Sequence, residues 1–236
     1  MIDPRLSVLE KRLGGARRII AVTGWKGGIG KSSVASVLAL KLAARGRRVG
    51  LLDLDFSGAS DHIILGASDV FPEEIEGLEP PLVGGVRFMS AAYFVGARAI
   101  HLRGEETTDA ILELLAVTRW GELDILILDM PPGLGEASLD LARFIKRAEL
   151  LPVYANSVLS LETLRRSLDL SARLNMQVCG AVENMARAPR PASVPGVKTL
   201  ASIRFDPDFE AATGSPEKLI ATAFARDLRP AAEALC

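Results

Sequence analysis

Cysteine is scarce in this chain of 236 residues, and long apolar runs are absent. The two cysteines, Cys179 and Cys236, stand far apart, which gives no disulfide framework and predicts a reducing compartment, the cytoplasm. Apolar runs such as DILILD have the length of a β-strand and fall short of the roughly 20 residues that cross a bilayer. A secretory leader has a basic segment followed by an apolar one, and the sequence shows no such pattern near its start. We therefore expect a soluble protein with no membrane partner.

An excess of either charge is missing as well. Lysine and arginine number 28 and aspartate and glutamate 29, so the formal net charge is -1, and no long block of one sign occurs. Proteins that bind nucleic acid usually carry a basic excess or a basic stripe, so no nucleic-acid partner is expected. Hydrophobic residues make up 49% of the chain, which is enough for one large domain with a buried core.

Apolar segments of strand length alternate with segments of helical pattern along most of the chain. This alternation predicts an α/β fold with a doubly wound, mostly parallel sheet flanked by helices, which binds its ligands at the carboxyl ends of the strands. A short leading helix predicts an N-terminal helical extension over residues 1–16, followed by one domain over 17–236. The predicted strands are RRIIAVTG, RRVGLLDLD, VRFMSA, LDILILD, ELLPVYA and QVCGAVE, and the predicted helices are KSSVASVLALKLAARG, TTDAILELLAVTRW, PPGLGEASLDLARFIKRA and about Ser160 to Leu174.

The segment GWKGGIGKSS lies between the first predicted strand and the first long helix. In a phosphate-binding loop, glycines let backbone N–H groups converge on phosphates at a helix N-terminus, a lysine adds charge, and the next hydroxyl binds Mg²⁺. Trp25 stands where the strict pattern has its first glycine, and a glycine-rich turn that binds nothing is the alternative. The predicted phosphate-binding residues are Gly27, Gly28, Ile29, Gly30, Lys31, Ser32 and Ser33.

Charged residues in and near this loop extend the candidate site. Asp53, Asp55 and Asp129 follow buried strands, and from such positions a carboxylate can hold Mg²⁺ directly or through water. Each aspartate alone would be more typical of an Asx turn, but with the loop present we expect all three at one crevice. Lys26, inside the loop, either stabilises phosphoryl transfer or is a solvated surface lysine.

The motifs KGGIGKS, LLDLDFSGAS, WGELDILILDMPPGLGE and GAVENMA occur in this order, with HLRG near His101 and SIRFDPDFEAATGSP further along. From about Arg17 to the C-terminus the chain resembles the Mrp/ApbC group of P-loop NTPases. That group belongs to the deviant Walker A class, which also holds MinD and ParA. The resemblance implies the P-loop NTPase fold, a nucleotide-binding domain over 17–236, ATP and Mg²⁺ as cofactors, and a homodimer.

The resemblance further implies catalytic roles for Lys26, Lys31 and Asp55. Lys26 would reach the phosphates of the facing subunit, and Asp55 would belong to the first switch and orient the attacking water. Gly133 would lie in the second switch, in which Leu134 and Glu136 depart from the threonine and aspartate that are usual in the group.

The resemblance also implies binding roles. Asn184 would hydrogen-bond the adenine, because an amide can donate and accept at once. The implied ligands of the magnesium ion are Ser32, Asp53 and Asp129.

One departure from the group concerns iron–sulfur clusters. Many members carry or transfer a cluster with a C-x-x-C pair shortly after the ENM motif, but ARAPRPASVPGVKTLASI follows Met185 here. Cys179 lies in a predicted buried strand, where a small apolar residue is expected, and Cys236 is the last residue of the sequence. His62 and His101 are isolated, without the spacing of a zinc site. We therefore assign no metal-binding cysteine, and any link to iron–sulfur assembly would run through a protein partner or a cluster bound elsewhere.

Three functions fit these features. The first is an Mrp-type ATPase whose nucleotide-driven dimer controls a protein partner in iron–sulfur assembly. The second is a MinD/ParA-like positioning switch, which ranks lower because EKLIATAFARDLRPAAEALC has balanced charge and a proline rather than a basic amphipathic pattern. The third is a nucleotide-binding adaptor without hydrolysis. The first and third differ only in turnover, and we take the first as the prediction.

Overall fold

The computed structural model describes residues 5–24, 26–95, 105–133, 144–187 and 194–236. In chain order the strands are β1 (Ala16–Thr23), β2 (Val49–Asp53), β3 (Glu73–Glu74), β4 (Leu78–Glu79), β5 (Leu82–Val83), β6 (Val86–Ser90), β7 (Leu123–Asp129), β8 (Ala148–Ala155), β9 (Gln177–Val178), β10 (Ala181–Ala186) and β11 (Thr199–Arg204). The helices are α1 (Arg5–Gly14), α2 (Lys31–Ala43), α3 (Asp61–Ile64), α4 (Ala92–Val95), α5 (Glu105–Val117), α6 (Val158–Arg173), α7 (Phe209–Ala212), α8 (Pro216–Ala221) and α9 (Ala223–Leu235).

A nine-stranded sheet in the order β11-β10-β8-β1-β7-β2-β6-β5, with β9 also paired to β8, forms the centre of the fold. Its pairs are parallel except for β5 with β6, and β3 and β4 form a separate antiparallel pair. Parallel neighbours need long crossover connections, which the helices supply. The predicted doubly wound, mostly parallel sheet flanked by helices is therefore confirmed.

The sheet is buried on both faces. β1 is apolar from Ile19 to Val22 and β7 from Ile125 to Leu128, which suits central strands of a parallel sheet. On one face, α2 and α9 pack in one apolar cluster with the sheet, and on the other face α1 and α5 pack in a second cluster. Nine of the thirteen residues of α2 are buried, because this helix lies between the sheet and α9. Among the described residues, no helix combines the length and apolarity that crossing a membrane requires.

The predicted strand QVCGAVE is wrong as a single element. The structure has two strands there, β9 and β10, and Cys179 and Gly180 lie between them. Both strands pair with β8, but the register changes by one residue across this break, and Gly180 has φ of +148°. Cys179 is half-buried in a bulge rather than buried within a strand.

One further helix tests the sequence predictions, and another lies mostly outside the described residues. α6 begins at Val158, two residues before the predicted start, because the Ser157 hydroxyl accepts a hydrogen bond from the Ser160 N–H at 3.3 Å and caps the helix. Most of the helix predicted in PPGLGEASLDLARFIKRA falls on residues 134–143, outside the described residues.

The leading helix α1 packs against α5, and Leu9 and Leu13 are buried in the same cluster as the sheet. The Arg147 guanidinium donates hydrogen bonds to the carbonyls of Leu13 and Ala16 and joins the end of α1 to the start of β1. The division into an extension over 1–16 and a domain over 17–236 stays a prediction.

Candidate functional site

The loop between β1 and α2 has the backbone of an anion-binding turn. Gly28 and Gly30 adopt left-handed φ values of 78° and 77°, which residues with a Cβ adopt only with strain. α2 begins at Lys31 directly after Gly30, so the first N–H groups of a 13-residue helix open towards the loop. A Cβ at Gly27 or Gly28 would meet no atom within 4 Å, which leaves the mouth of the loop open.

A cleft of about 320 Å³ opens over this loop. Small-molecule sites commonly have volumes from about 300 Å³ upwards. The Gly133 N–H, in the predicted second switch, donates a hydrogen bond to the Gly24 carbonyl at 3.0 Å and ties that segment to the loop. Trp25 lies outside the described residues. The predicted residues that line the cleft together are Lys26, Gly27, Gly28, Ile29, Gly30, Lys31, Ser32, Ser33 and Asp55.

Lys31 and Ser32 both contact one buried carboxylate, that of Asp129. Lys31 Nζ lies 2.7 Å from Asp129 Oδ1, and the Ser32 hydroxyl donates to Asp129 Oδ2 at 2.6 Å. Asp129 is fully buried and Lys31 is 8% exposed, so this ion pair is largely shielded from water. Breaking a buried pair of this kind leaves a charge without its partner, so the pair holds Lys31 in place at the bottom of the cleft.

Asp53 lies directly beside Asp129, because parallel β2 and β7 place the two residues opposite each other at their carboxyl ends. Asp53 Oδ1 accepts a hydrogen bond from the Asp55 N–H at 3.0 Å, and Oδ2 accepts from the Ser90 hydroxyl at 3.2 Å and from the Asp61 N–H at 3.3 Å. Burial, followed by repulsion from Asp129, raises the pKa of Asp53 to about 7. Burial is also the main cause of a raised pKa at Asp129, against the opposing effect of Lys31.

Asp55 lies in the loop after β2 and is half-exposed at the cleft. Its Oδ1 accepts hydrogen bonds from the N–H groups of Ser57 at 3.1 Å and Gly58 at 2.9 Å. These two bonds form the Asx turn that the sequence suggested as an alternative role for Asp55. The same residue also lines the cleft. The crevice predicted for the three aspartates is therefore divided, with Asp55 at the cleft wall and the other two buried beneath it.

Asp61 is a third buried carboxylate that sequence reasoning missed. It is fully buried at the start of α3, and its Oδ1 accepts a hydrogen bond from the Ser36 hydroxyl at 2.7 Å. Burial, and then the charges of Asp129 and Asp53, raise the pKa of Asp61 well above its ordinary value. Ser36 follows Ser32 by four residues and so lies on the same face of α2, and this spacing could have predicted that Ser36 faces the site. Asp61 itself carries no local signal, because α3 is a single four-residue turn inside an otherwise irregular segment.

Asn184 lies at the carboxyl end of β10 and is almost fully buried. Its Nδ2 donates a hydrogen bond to the Ile29 carbonyl at 2.8 Å. A Cβ at Gly30 would overlap this amide. The side chain predicted to contact adenine therefore holds the phosphate-binding loop from behind, and the adenine contact itself stays a prediction.

The donor set at this site suits a hard divalent cation. Ser32, Asp53 and Asp129 offer hydroxyl and carboxylate oxygens, which Mg²⁺ prefers, and the buried Asp61 Oδ2 has no hydrogen-bond partner among the described residues. Within the described part of the chain, Asp53, Asp61 and Asp129 are the group whose ligand atoms come within 4.8 Å of one another. The residues present therefore fit a magnesium ion.

Cys179 lacks the surroundings of a cluster ligand. The Cys179 thiol donates a hydrogen bond to the Leu150 carbonyl at 3.2 Å, and burial raises its pKa to about 12, which disfavours the thiolate that metals bind. Cys236 is exposed, and neither cysteine forms a disulfide. His62 is half-buried, and burial lowers its pKa. His101 lies outside the described residues.

Comparisons with known proteins agree with this geometry. A family model described as ParA, NUBPL iron-transfer P-loop NTPase, matches residues 15–223. The chain belongs to this family. An iron-sulfur cluster carrier protein from Salmonella typhimurium is 38% identical over 177 residues, which are 74% of this chain and 48% of that protein. The chain thus spans about half the length of the curated relatives it matches, and the resemblance to the Mrp/ApbC group is confirmed.

Solved structures extend this family assignment to three dimensions. A nucleotide-binding protein from Archaeoglobus fulgidus, in complex with ADP and with cobalt found, is 28% identical, with a TM-score of 0.74 over 91% of this chain and 92% of that one. The septum site-determining protein MinD from Pyrococcus horikoshii, complexed with Mg-ADP, is 22% identical, with a TM-score of 0.68 over 92% and 94%. The MinD likeness confirms the P-loop NTPase fold.

Proposed function

We propose that this chain is a Mg²⁺-dependent ATP-binding protein of the Mrp/ApbC type, which hydrolyses ATP and works as a nucleotide-controlled homodimer. One observation carries the proposal: Lys31 and Ser32, at the start of α2, lie against buried Asp129 under an open cleft. The ADP complex of the Archaeoglobus fulgidus protein supports a nucleotide as the ligand.

In this proposal the phosphates bind the N–H groups of the loop and of the first turn of α2. Lys31 moves its ammonium from Asp129 to the phosphates, where it stabilises their charge. Ser33 reaches an inner phosphate from the same turn. Asn184 keeps the loop in shape through the Ile29 carbonyl and presents the rest of its amide to the adenine.

Ser32, Asp53 and Asp129 would hold the magnesium ion. When bound, Mg²⁺ neutralises charge on the phosphate oxygens and orients them. Release of the Ser32 hydroxyl from Asp129 leaves an oxygen donor free for this role. The half-exposed Asp55 carboxylate stands at the wall of the same cleft and orients the attacking water as a hydrogen-bond acceptor.

Lys26 completes the proposed machinery from a second copy of the chain. Its side chain is exposed at the rim of the cleft and has no ion pair with the described residues. An ammonium held at that rim can reach phosphates bound in a facing subunit and stabilise charge during phosphoryl transfer. Catalysis is then coupled to dimer formation, which lets nucleotide state control a partner.

We further propose that the controlled partner belongs to iron–sulfur assembly in the cytoplasm. The relatives that this chain matches are named iron-sulfur cluster carrier proteins. Half-buried Cys179 and exposed Cys236 form no C-x-x-C pair, so the chain acts on a cluster that a partner holds.

The test is ATP binding by calorimetry with Mg²⁺ for the wild type and for Lys31→Ala. Loss of a charge-assisted contact should weaken binding by on the order of 10- to 100-fold. Lys41→Ala, on the same helix but away from the cleft, is the matched control and should bind like the wild type. Unchanged affinity of Lys31→Ala for ATP would contradict the site assignment. If the wild type binds ATP but releases no phosphate, the chain is the nucleotide-binding adaptor without hydrolysis.

A further inference from the structure

Three carboxylates are buried together beneath the cleft. One oxygen from each of Asp53, Asp61 and Asp129 lies within 4.8 Å of the others, and all three residues are fully buried. Like charges at this separation repel strongly when water is excluded. A cluster of this kind requires a positive group nearby if all three are to be ionised.

Little positive charge lies next to this cluster. Lys31 is the cation that forms a salt bridge to it among the described residues, and that bridge goes to Asp129. The hydrogen-bond donors to Asp53 are two backbone N–H groups and the Ser90 hydroxyl, which are neutral. Three acidic groups therefore share one ammonium.

Asp61 has an oxygen without a partner in this cluster. Oδ1 accepts from Ser36, but Oδ2 is buried and has no hydrogen-bond partner among the described residues. A buried, unpartnered acceptor costs free energy unless a ligand satisfies it. Its neighbours are carboxylates, which donate nothing when ionised, so a cation is the ligand that satisfies all three at once.

Nucleotide binding makes the imbalance larger. Under the proposed function, Lys31 leaves Asp129 for the phosphates, and the cluster then has no ammonium. Carboxylate oxygens in this number suit Mg²⁺ or Mn²⁺ and not a thiophilic metal.

We propose that Asp61 joins Asp53 and Asp129 in a divalent-cation site that binds Mg²⁺ or Mn²⁺ before any nucleotide is present. The role of this site in supplying Mg²⁺ for ATP rests on the proposed function. Binding of the cation itself does not require nucleotide. Asp61 is the residue that distinguishes the site from one built by Ser32 and the phosphates alone.

The test is a Mn²⁺ titration of nucleotide-free protein, in which electron paramagnetic resonance measures the free ion. The wild type should bind one Mn²⁺ per chain with saturation. Asp61→Asn keeps the size of the side chain and a hydrogen bond to Ser36 but removes the charge, and should weaken Mn²⁺ binding about 10- to 100-fold. Asp69→Asn is the matched control, because it removes one carboxylate charge at an exposed position and leaves the three buried carboxylates in place. It should bind Mn²⁺ within about twofold of the wild type, since water and salt screen exposed charges.

The results that would overturn the proposal do not depend on nucleotide binding. Non-saturating Mn²⁺ binding by the wild type, or equal affinity in the wild type and Asp61→Asn, would show that these carboxylates hold no cation. An equal loss in Asp69→Asn would show that Mn²⁺ binding follows the overall charge and not the buried cluster. Circular dichroism checks that each variant folds. If Asp61→Asn does not fold, the Mn²⁺ titrations of the wild type and of Lys31→Ala test the cation site instead.

Lys31→Ala separates the two proposals. It should lose ATP binding, as the proposed function requires, and bind Mn²⁺ as tightly as the wild type or more tightly, because a competing ammonium is gone. Weaker Mn²⁺ binding in Lys31→Ala would contradict the cation site, whereas retained ATP binding would contradict the proposed function alone.

Discussion

At the scale of single residues, two glycines of the loop differ in what limits them. Gly28 and Gly30 have nearly the same left-handed φ, so a Cβ brings similar backbone strain at both. At Gly28 the Cβ would meet no atom within 4 Å, whereas at Gly30 it would overlap the Asn184 amide. Comparing the two positions separates backbone strain from steric overlap.

We expect Gly28→Ala to lower the free energy of unfolding by about 1 kcal/mol and Gly30→Ala to lower it by more. In an Asn184→Ala background, which removes the overlapping amide, Gly30→Ala should cost about as much as Gly28→Ala, because residues in contact are not additive. Urea unfolding of the variants measures these differences. An equal cost for Gly30→Ala in both backgrounds would show that Asn184 does not limit this position.

The buried aspartates give the folded protein a particular dependence on pH. The pKa of Asp53 is about 7 in the folded protein, against about 3.9 in an unfolded chain. Between these values the folded state binds more protons than the unfolded state, so the free energy of unfolding decreases as the pH rises. The decrease is complete once the pH exceeds the folded pKa.

Asp53→Asn should therefore make the loss of stability between about pH 4 and pH 7 shallower than in the wild type. The measurement is urea unfolding at several pH values with a chelator and without nucleotide, so that no divalent cation competes with protons. Groups outside the cluster contribute alike to both proteins, so the difference in slope reports Asp53 together with its effect on the pKa of Asp61. Parallel profiles would contradict the raised pKa.

At the scale of secondary-structure elements, register is what assembles the site. Parallel pairing of β2 with β7 places Asp53 opposite Asp129 at one edge of the sheet. Pairing of β7 with β1 brings Asp129 to the start of the loop, since Val22 pairs with Asp129. A shift of one residue in either pair would turn these side chains to the opposite face.

α9 and α1 illustrate how elements outside the site are held. α9 buries its apolar face, including Phe224, Leu228 and Leu235, in the core beside α2, so this helix does not offer that face to a membrane or a partner. α1 is held on the other face of the sheet by Leu9 and Leu13.

Leu9→Ala should lower the free energy of unfolding by about 2–5 kcal/mol, because it opens a cavity where α1 meets the core. Val8→Ala, one residue earlier and 41% exposed, is the matched control and should change stability by less than about 0.5 kcal/mol. Chemical denaturation of both variants provides the comparison. Similar small effects would show that α1 contributes little to the folded domain.

At the scale of the whole molecule, the proposed dimer makes a prediction about Lys26. Lys26→Ala should lower Mg²⁺-dependent ATP hydrolysis by about 100-fold or more, since a group that stabilises transition-state charge is lost, while nucleotide binding changes little. Turnover measured together with sedimentation velocity relates the loss to dimer formation. Lys218→Ala, an exposed lysine on α8, is the control and should keep wild-type turnover. Equal turnover in Lys26→Ala and the wild type would remove the proposed role.

Much of the fold and part of the site could be predicted from the sequence. The continuous apolar runs of β1 and β7 predicted buried parallel strands, because strands covered on both faces need apolar residues at successive positions. The glycines and Lys31 predicted the loop before α2, because a left-handed backbone at the start of a helix requires glycine at particular positions close together in sequence. The break at Gly180 was not predicted, since a bulge depends on how the neighbouring strand pairs.

By itself, then, the sequence determined the fold class, the phosphate-binding loop and the strand-end aspartates, because each depends on residues close together along the chain. Only the tertiary structure decided that Asp53 lies against Asp129, that Asp61 joins them, and that Asn184 holds the loop at the Ile29 carbonyl. These contacts join residues from 8 to 155 positions apart. Strand order, register and the path of an irregular loop fix such contacts, and no local pattern encodes them.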